Sequence, residues 1–136
     1  MTEELDHRHH QVLEDLSAPA KELRSYIPDV YKGFAEMSKG AMAEGVLSAA
    51  VKEALAIAIS VANQCDGCIA SHARSAARKG TTNEQVAEAI GVAILLTGGP
   101  GTVYGPRAYE AFVEFKAEYD AKRPQVPSSA ASPVQP

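Results

Sequence analysis

The sequence predicts an all-α fold. Its apolar residues recur at helical spacing, local capping signals open and close the runs, and neither strand-like alternation nor an internal repeat of useful length appears. With 136 residues, 46% of them hydrophobic, the chain can build one domain with a core but not two ordinary ones.

Thr2 to Leu16 mixes charge with Leu5, Val12, Leu13 and Leu16, a weak helical pattern expected to end before Pro19. Pro28 suits a first helical turn, where its missing N–H would be unbonded anyway, and Val30, Phe34, Met37 and Met42 continue a helix to about Glu44. Ser48 is an N-cap for Ala49 to Asn63, a run so rich in Val51, Leu55, Ile57, Ile59 and Val61 that it reads as a buried helix. The next helix begins at Cys65 or Asp66 and ends at Lys79, where Gly80 can take the left-handed conformation.

Thr82 with Gln85 is a capping box opening a helix through Ile90 and Leu96. Gly98 to Gly101 is expected to break it as a tight connector. Tyr104, Ala108, Ala111, Phe112 and Phe115 form the apolar stripe of a last helix ending before Pro124. The organisation is thus an N-terminal helical arm over 1–27, a domain over 28–123 and a disordered tail over 124–136, where proline, serine and alanine leave little to bury. Alanine-rich helices that approach closely and expose apolar surface predict a homo-oligomer.

Charge and composition exclude several functions. The net charge of −4 comes from signs spread along the chain, with no basic stripe for a phosphate backbone, so nucleic acid is not an expected partner. No segment has the apolar length of a membrane span and no basic stretch leads into an apolar one at the start, which predicts a cytoplasmic protein. There, thiol buffers keep ordinary disulfides reduced, so a close pair of cysteines points to redox or metal chemistry.

The chemistry concentrates in Cys65-Asp66-Gly67-Cys68-Ile69-Ala70-Ser71-His72. The cysteines and His72 fall at i, i+3 and i+7, along one helix face. Two residues of separation at a helix start allow a disulfide to close, and a thiolate there is favoured by unpaired N–H groups, below the free thiol value of about 8.5. Cys68 is the better placed nucleophile, and His72, one turn later, can accept its proton. Glu53 is a carboxylate within an apolar helix, where an unpaired charge costs several kcal/mol. If the two helices pack as a hairpin, Glu53 faces His72 and sets its tautomer.

These residues have blander readings. The cysteines can pack as small hydrophobes, Glu53 can be a helix-start carboxylate, and Cys65, Cys68, His72 and Glu53 together number four zinc ligands. His7, His9 and His10 resemble a metal-binding tract but read first as incidental surface histidines. Tyr26, Tyr31, Tyr104 and Phe112 read as core rather than a substrate channel, and Arg74 with Arg78 as a solvated face.

From about Pro28 to Phe115, through Lys52-Glu53-Ala54-Leu55, the cysteine motif, His72, Gly80 and Gly98-Gly99-Pro100, the sequence resembles the alkylhydroperoxidase D-like and carboxymuconolactone decarboxylase superfamily. The resemblance implies a compact helical domain with the C-x-x-C site on a central hairpin, assembled as a trimer or hexamer. It implies that Cys68 is the peroxidatic thiol, Cys65 the resolving thiol, and His72 and Glu53 their proton-handling partners. The substrate would be a hydroperoxide and the reductant a dihydrolipoyl or thioredoxin-like dithiol, with no cofactor bound. True decarboxylases of the superfamily look different in lacking the cysteine pair. One position departs from alkylhydroperoxidase D: its second histidine, just before the second cysteine, is here Gly67.

Overall fold

The computed structural model describes residues 7–124, which form six α-helices: α1 Arg8–Tyr26, α2 Pro28–Met42, α3 Ala49–Ala62, α4 Asp66–Lys79, α5 Asn83–Thr97 and α6 Gly99–Lys122. No strand occurs among the described residues, as the helical periodicity predicts. Most of the expected disordered tail lies outside them.

Helices α3 to α6 pack on one another, and α1 lies across α4 and touches α6. Ile57 and Val61 of α3, Ile69 of α4, Val86 and Ile90 of α5, and Phe112 and Phe115 of α6 form the core. Ala70, Ala73 and Ala76 of α4 are wholly buried, so the helix carrying the cysteines sits close to its neighbours. On α6, a β-carbon at Gly105 would stand 2.9 Å from Ile90 Cγ2, and one at Gly101 would stand 2.9 Å from Ile94 Cα. Close approach of α5 and α6 therefore requires glycine at both positions.

The local signals act as the sequence predicts. Ser48 Oγ accepts from Val51 N–H at 3.1 Å, and Thr82 and Gln85 form the reciprocal capping box. Gly80 (φ 77°) ends α4, with Thr81 N–H bonded to the Ala76 carbonyl at 3.0 Å. Thr81 is itself buried, and its hydroxyl donates to the Ala50 carbonyl at 2.9 Å, tying the α4–α5 turn to the start of α3.

Three expectations are corrected. Helix α1 does not end before Pro19 but runs through it to Tyr26. Pro19 and Asp15, whose carbonyl loses its donor, are both exposed, so water can satisfy that carbonyl. The connector after α5 is Gly98 alone (φ 66°), because Gly99, Pro100 and Gly101 already form the first turn of α6, where proline needs no donor. Helix α2 runs from Pro28 to Met42, close to the expected end near Glu44, and buries none of its residues: Val30, Phe34 and Met37 are exposed. Helix α3 is not buried all round, since Leu55 and Ile59 are exposed, as are Leu95 and Leu96 of α5. No helix among the described residues is long and apolar enough to cross a membrane.

Candidate active site

The turn between α3 and α4 places the first cysteine. Asn63 caps α3, Gln64 then takes the left-handed conformation (φ 53°), and the backbone closes with Gln64 N–H on the Val61 carbonyl and Cys65 N–H on the Ser60 carbonyl, at 3.0 and 3.1 Å. This is the paired bonding of a Schellman motif, with glutamine where glycine is usual. Nothing in the sequence signalled it, because glutamine carries no turn preference.

Cys65 caps α4, its sulfur accepting Cys68 N–H at 3.3 Å. The two cysteines form a disulfide across the first turn, with Cα atoms 5.3 Å apart, inside the ordinary bridging range. Cys68 is exposed and Cys65 half-buried, so a solvent-borne reactant meets Cys68 first. Asp66 and Gly67 complete the turn. An ideal β-carbon on Gly67 would stand 3.1 Å from Leu16 Cδ1, so α1 covers the position where alkylhydroperoxidase D has its second histidine.

One turn after Cys68, His72 Nδ1 donates to Glu53 Oε2 at 2.9 Å. The Glu53 side chain is 6% exposed and that of His72 33%, so the carboxylate is sequestered and the imidazole reaches solvent. The carboxylate accepts from Nδ1, which in the neutral ring leaves Nε2 as the nitrogen able to take a proton. The buried carboxylate thus has a polar partner, as its burial demands. The pair opens on a cleft of about 410 Å³ walled by Lys39, Met42, Ser71 and Lys79.

The structure therefore brings Glu53 to His72 and Cys65 to Cys68, while His72 makes no hydrogen bond to either sulfur among the described residues. The other sequence candidates separate. Phe112 is core and Tyr104 packs against it, as expected, whereas Tyr26 is exposed. His9 is buried with Nε2 3.1 Å from Glu110 Oε2, which corrects the reading of the histidine tract as incidental surface.

Known proteins share this arrangement of helices and sequence. The model of the carboxymuconolactone decarboxylase family matches residues 28–115. The chain belongs to that family. As a carboxymuconolactone decarboxylase family member, it is 39% identical over 85 residues to an uncharacterized protein of Cupriavidus necator, across 62% of this chain and 75% of that one. It is 37% identical over 75 residues to uncharacterized protein 4 in the cox locus of Paracoccus denitrificans, across 55% and 68% of the two chains. The crystal structure of an apo carboxymuconolactone decarboxylase family protein from Legionella pneumophila matches with a TM-score of 0.78 at 32% identity, covering 82% of this chain and 99% of that one.

Proposed function

We propose that this family member is a thiol-dependent peroxidase in which Cys68 attacks, Cys65 resolves, His72 moves the proton and Glu53 orients His72. The observation that carries the reading is the Cys65–Cys68 disulfide across the first turn of α4, with the more exposed sulfur one turn before a histidine held by a buried carboxylate. A C-x-x-C pair that can be joined in the folded protein can cycle between dithiol and disulfide without rebuilding the fold.

The cycle balances as follows. The Cys68 thiolate, its proton taken up by His72, attacks the terminal oxygen of a hydroperoxide, forming an S–O bond as the O–O bond breaks. The alcohol leaves with a proton and Cys68 becomes a sulfenic acid. Cys65 attacks that sulfur, water departs, and the disulfide forms. An external dithiol, a dihydrolipoyl protein or thioredoxin-like donor, returns both thiols and is itself oxidised. Each turnover consumes one hydroperoxide and one dithiol and yields alcohol, water and the donor's disulfide.

We also propose that the working form is a homo-oligomer. Leu95 and Leu96 of α5 are 81% and 79% exposed, and Val30, Phe34 and Met37 of α2 are uncovered too, a surface that a single chain in water would be expected to bury.

The deciding experiment supplies the reduced protein with an organic hydroperoxide and dihydrolipoamide, and follows both peroxide and dithiol. Stoichiometric loss of the two is expected. If peroxide persists and both thiols stay titratable, the cysteine pair is a structural element and the reading fails.

A further inference from the structure

The N-terminal histidines meet α6 in an arrangement that the peroxidase reading does not use. His7, at the N-cap of α1, and His10, one turn later, face Glu114 and Glu118, one turn apart on α6. A ring nitrogen of His7, one of His10 and a carboxylate oxygen of Glu114 lie within 4.8 Å of one another. His10 Nδ1 is 3.9 Å from Glu114 Oε1 and 3.2 Å from Glu118 Oε2.

Nitrogen Nδ1 of His10 is buried, yet it makes no hydrogen bond of acceptable geometry although two carboxylates lie this near. Buried polar atoms rarely go without a partner, and an imidazole nitrogen flanked by carboxylate oxygens is a metal-ligand grouping. Glu114 is already fixed for such a role: Oε1 accepts His10 N–H at 3.0 Å and Oε2 accepts His9 N–H at 3.3 Å. Those bonds hold the carboxylate at the start of α1 and leave it lone pairs for a further ligand. His9 is no ligand, because its ring is engaged by Glu110. Lys122 holds the other oxygen of Glu118, leaving Oε2 turned to His10.

We propose that His7, His10 and Glu114, with Glu118 as a fourth ligand, bind a divalent transition-metal ion of the zinc class that clamps α1 to α6. Two imidazoles and carboxylate oxygens suit zinc better than calcium or magnesium, which take oxygen alone. Tetrahedral zinc with bonds of about 2.0–2.1 Å sets its ligand atoms about 3.3 Å apart, so the three must draw together. His7 is exposed, its ring edge-on to that of His10 at 6.1 Å between centroids, and a turn of its side chain would bring it inward. The cleft that His10 and Glu118 share with Arg74 and Arg78 is a different one from the cleft of Glu53 and His72, so the ion stands apart from the dithiol.

The test uses the untagged full chain in its disulfide form, which takes the thiolates out of competition. Zinc ion is titrated calorimetrically and the melting temperature followed with and without saturating zinc. One ion per chain and a raised melting temperature are expected, since a ligand that binds only the folded interface stabilises it. His7→Ala removes an exposed ligand and spares the bonds of Glu114, so it should keep its helix content while losing roughly tenfold or more in affinity and most of the thermal shift. Cobalt in place of zinc should give a tetrahedral nitrogen and oxygen spectrum without a sulfur charge-transfer band. The proposal is overturned by no saturable binding, by binding that leaves the melting temperature unmoved, or by an affinity that His7→Ala does not change.

Discussion

Leu16 of α1 lies against Gly67, between the two cysteines, so closely that a β-carbon on Gly67 would stand 3.1 Å from Leu16 Cδ1. The arm and the cysteine-bearing turn therefore share one space. A side chain at position 67 and a close-packed Leu16 exclude each other unless one gives way. Leu16 is half-exposed and can move, but moving it loosens the docking of α1 on α4.

Gly67→His should thus be only mildly destabilising. The glycine's helical penalty of about 1 kcal/mol is recovered while contacts of Leu16 are lost. Combined with Leu16→Ala, which clears the space, the histidine should sit without displacement and raise peroxide turnover relative to Leu16→Ala alone. Equal turnover in the two proteins would show that a second histidine contributes no proton transfer here.

The two cysteines should separate by role. Cys68→Ser removes the exposed sulfur and should abolish turnover, whereas Cys65→Ser should react once and stop as a sulfenic acid on Cys68. In the parent protein, mild peroxide should remove two hydrogens from the reduced chain by mass spectrometry, leaving no titratable thiol. A sulfenic acid trapped on Cys65 in Cys68→Ser, with none on Cys68 in the converse variant, reverses the assignment.

The left-handed Gln64 offers a test of stability. A non-glycine residue in that conformation costs roughly 1–2 kcal/mol, and glycine's extra chain entropy offsets roughly 0.5–1 kcal/mol of any relief. Gln64→Gly should therefore raise stability by up to about 1.5 kcal/mol in denaturant titration, while Gln64→Val, branched at the β-carbon, should lower it. A loss of stability in Gln64→Gly would mean that the glutamine side chain, not the backbone, holds the turn.

What the sequence reveals of this molecule depends on how local each cause is. Ser48, Thr82 with Gln85, and Gly80 act within a few residues, and each caps the helix its pattern indicates. The spacing of Glu53 and His72 was readable because two consecutive helices joined by a short turn bring fixed registers together. Pro19 and Pro100 misled because a missing N–H breaks a helix only where its carbonyl partner cannot find water or where a donor is needed. Periodicity shows which faces of α2 and α3 are apolar, but not whether a neighbour covers them, so the exposure of Phe34 and Ile59 was beyond it. The approach of Leu16 to Gly67 is a tertiary contact across 51 positions (67 − 16) and left no mark on either segment.

Glu53 is the residue whose substitution most sharply divides a catalytic from a structural role. Its side chain is sequestered, and its hydrogen bond to His72 compensates the burial of a carboxylate. Glu53→Gln preserves the shape and keeps one polar atom facing Nδ1, so it should change folding stability by only about 1 kcal/mol, the scale of a single hydrogen bond. The proposed chemistry asks for more. Moving the Cys68 proton to His72 creates an imidazolium, and a carboxylate stabilises that cation where a neutral amide does not. General-base assistance is typically worth about 10² to 10⁴ in rate, so the variant should lose much of that factor while melting nearly as the parent does. The measurement is the rate of alkylation of reduced Cys68 across pH in both proteins, beside a thermal melt of each. Profiles that superimpose would assign Glu53 to the fold alone and remove it from the proton path.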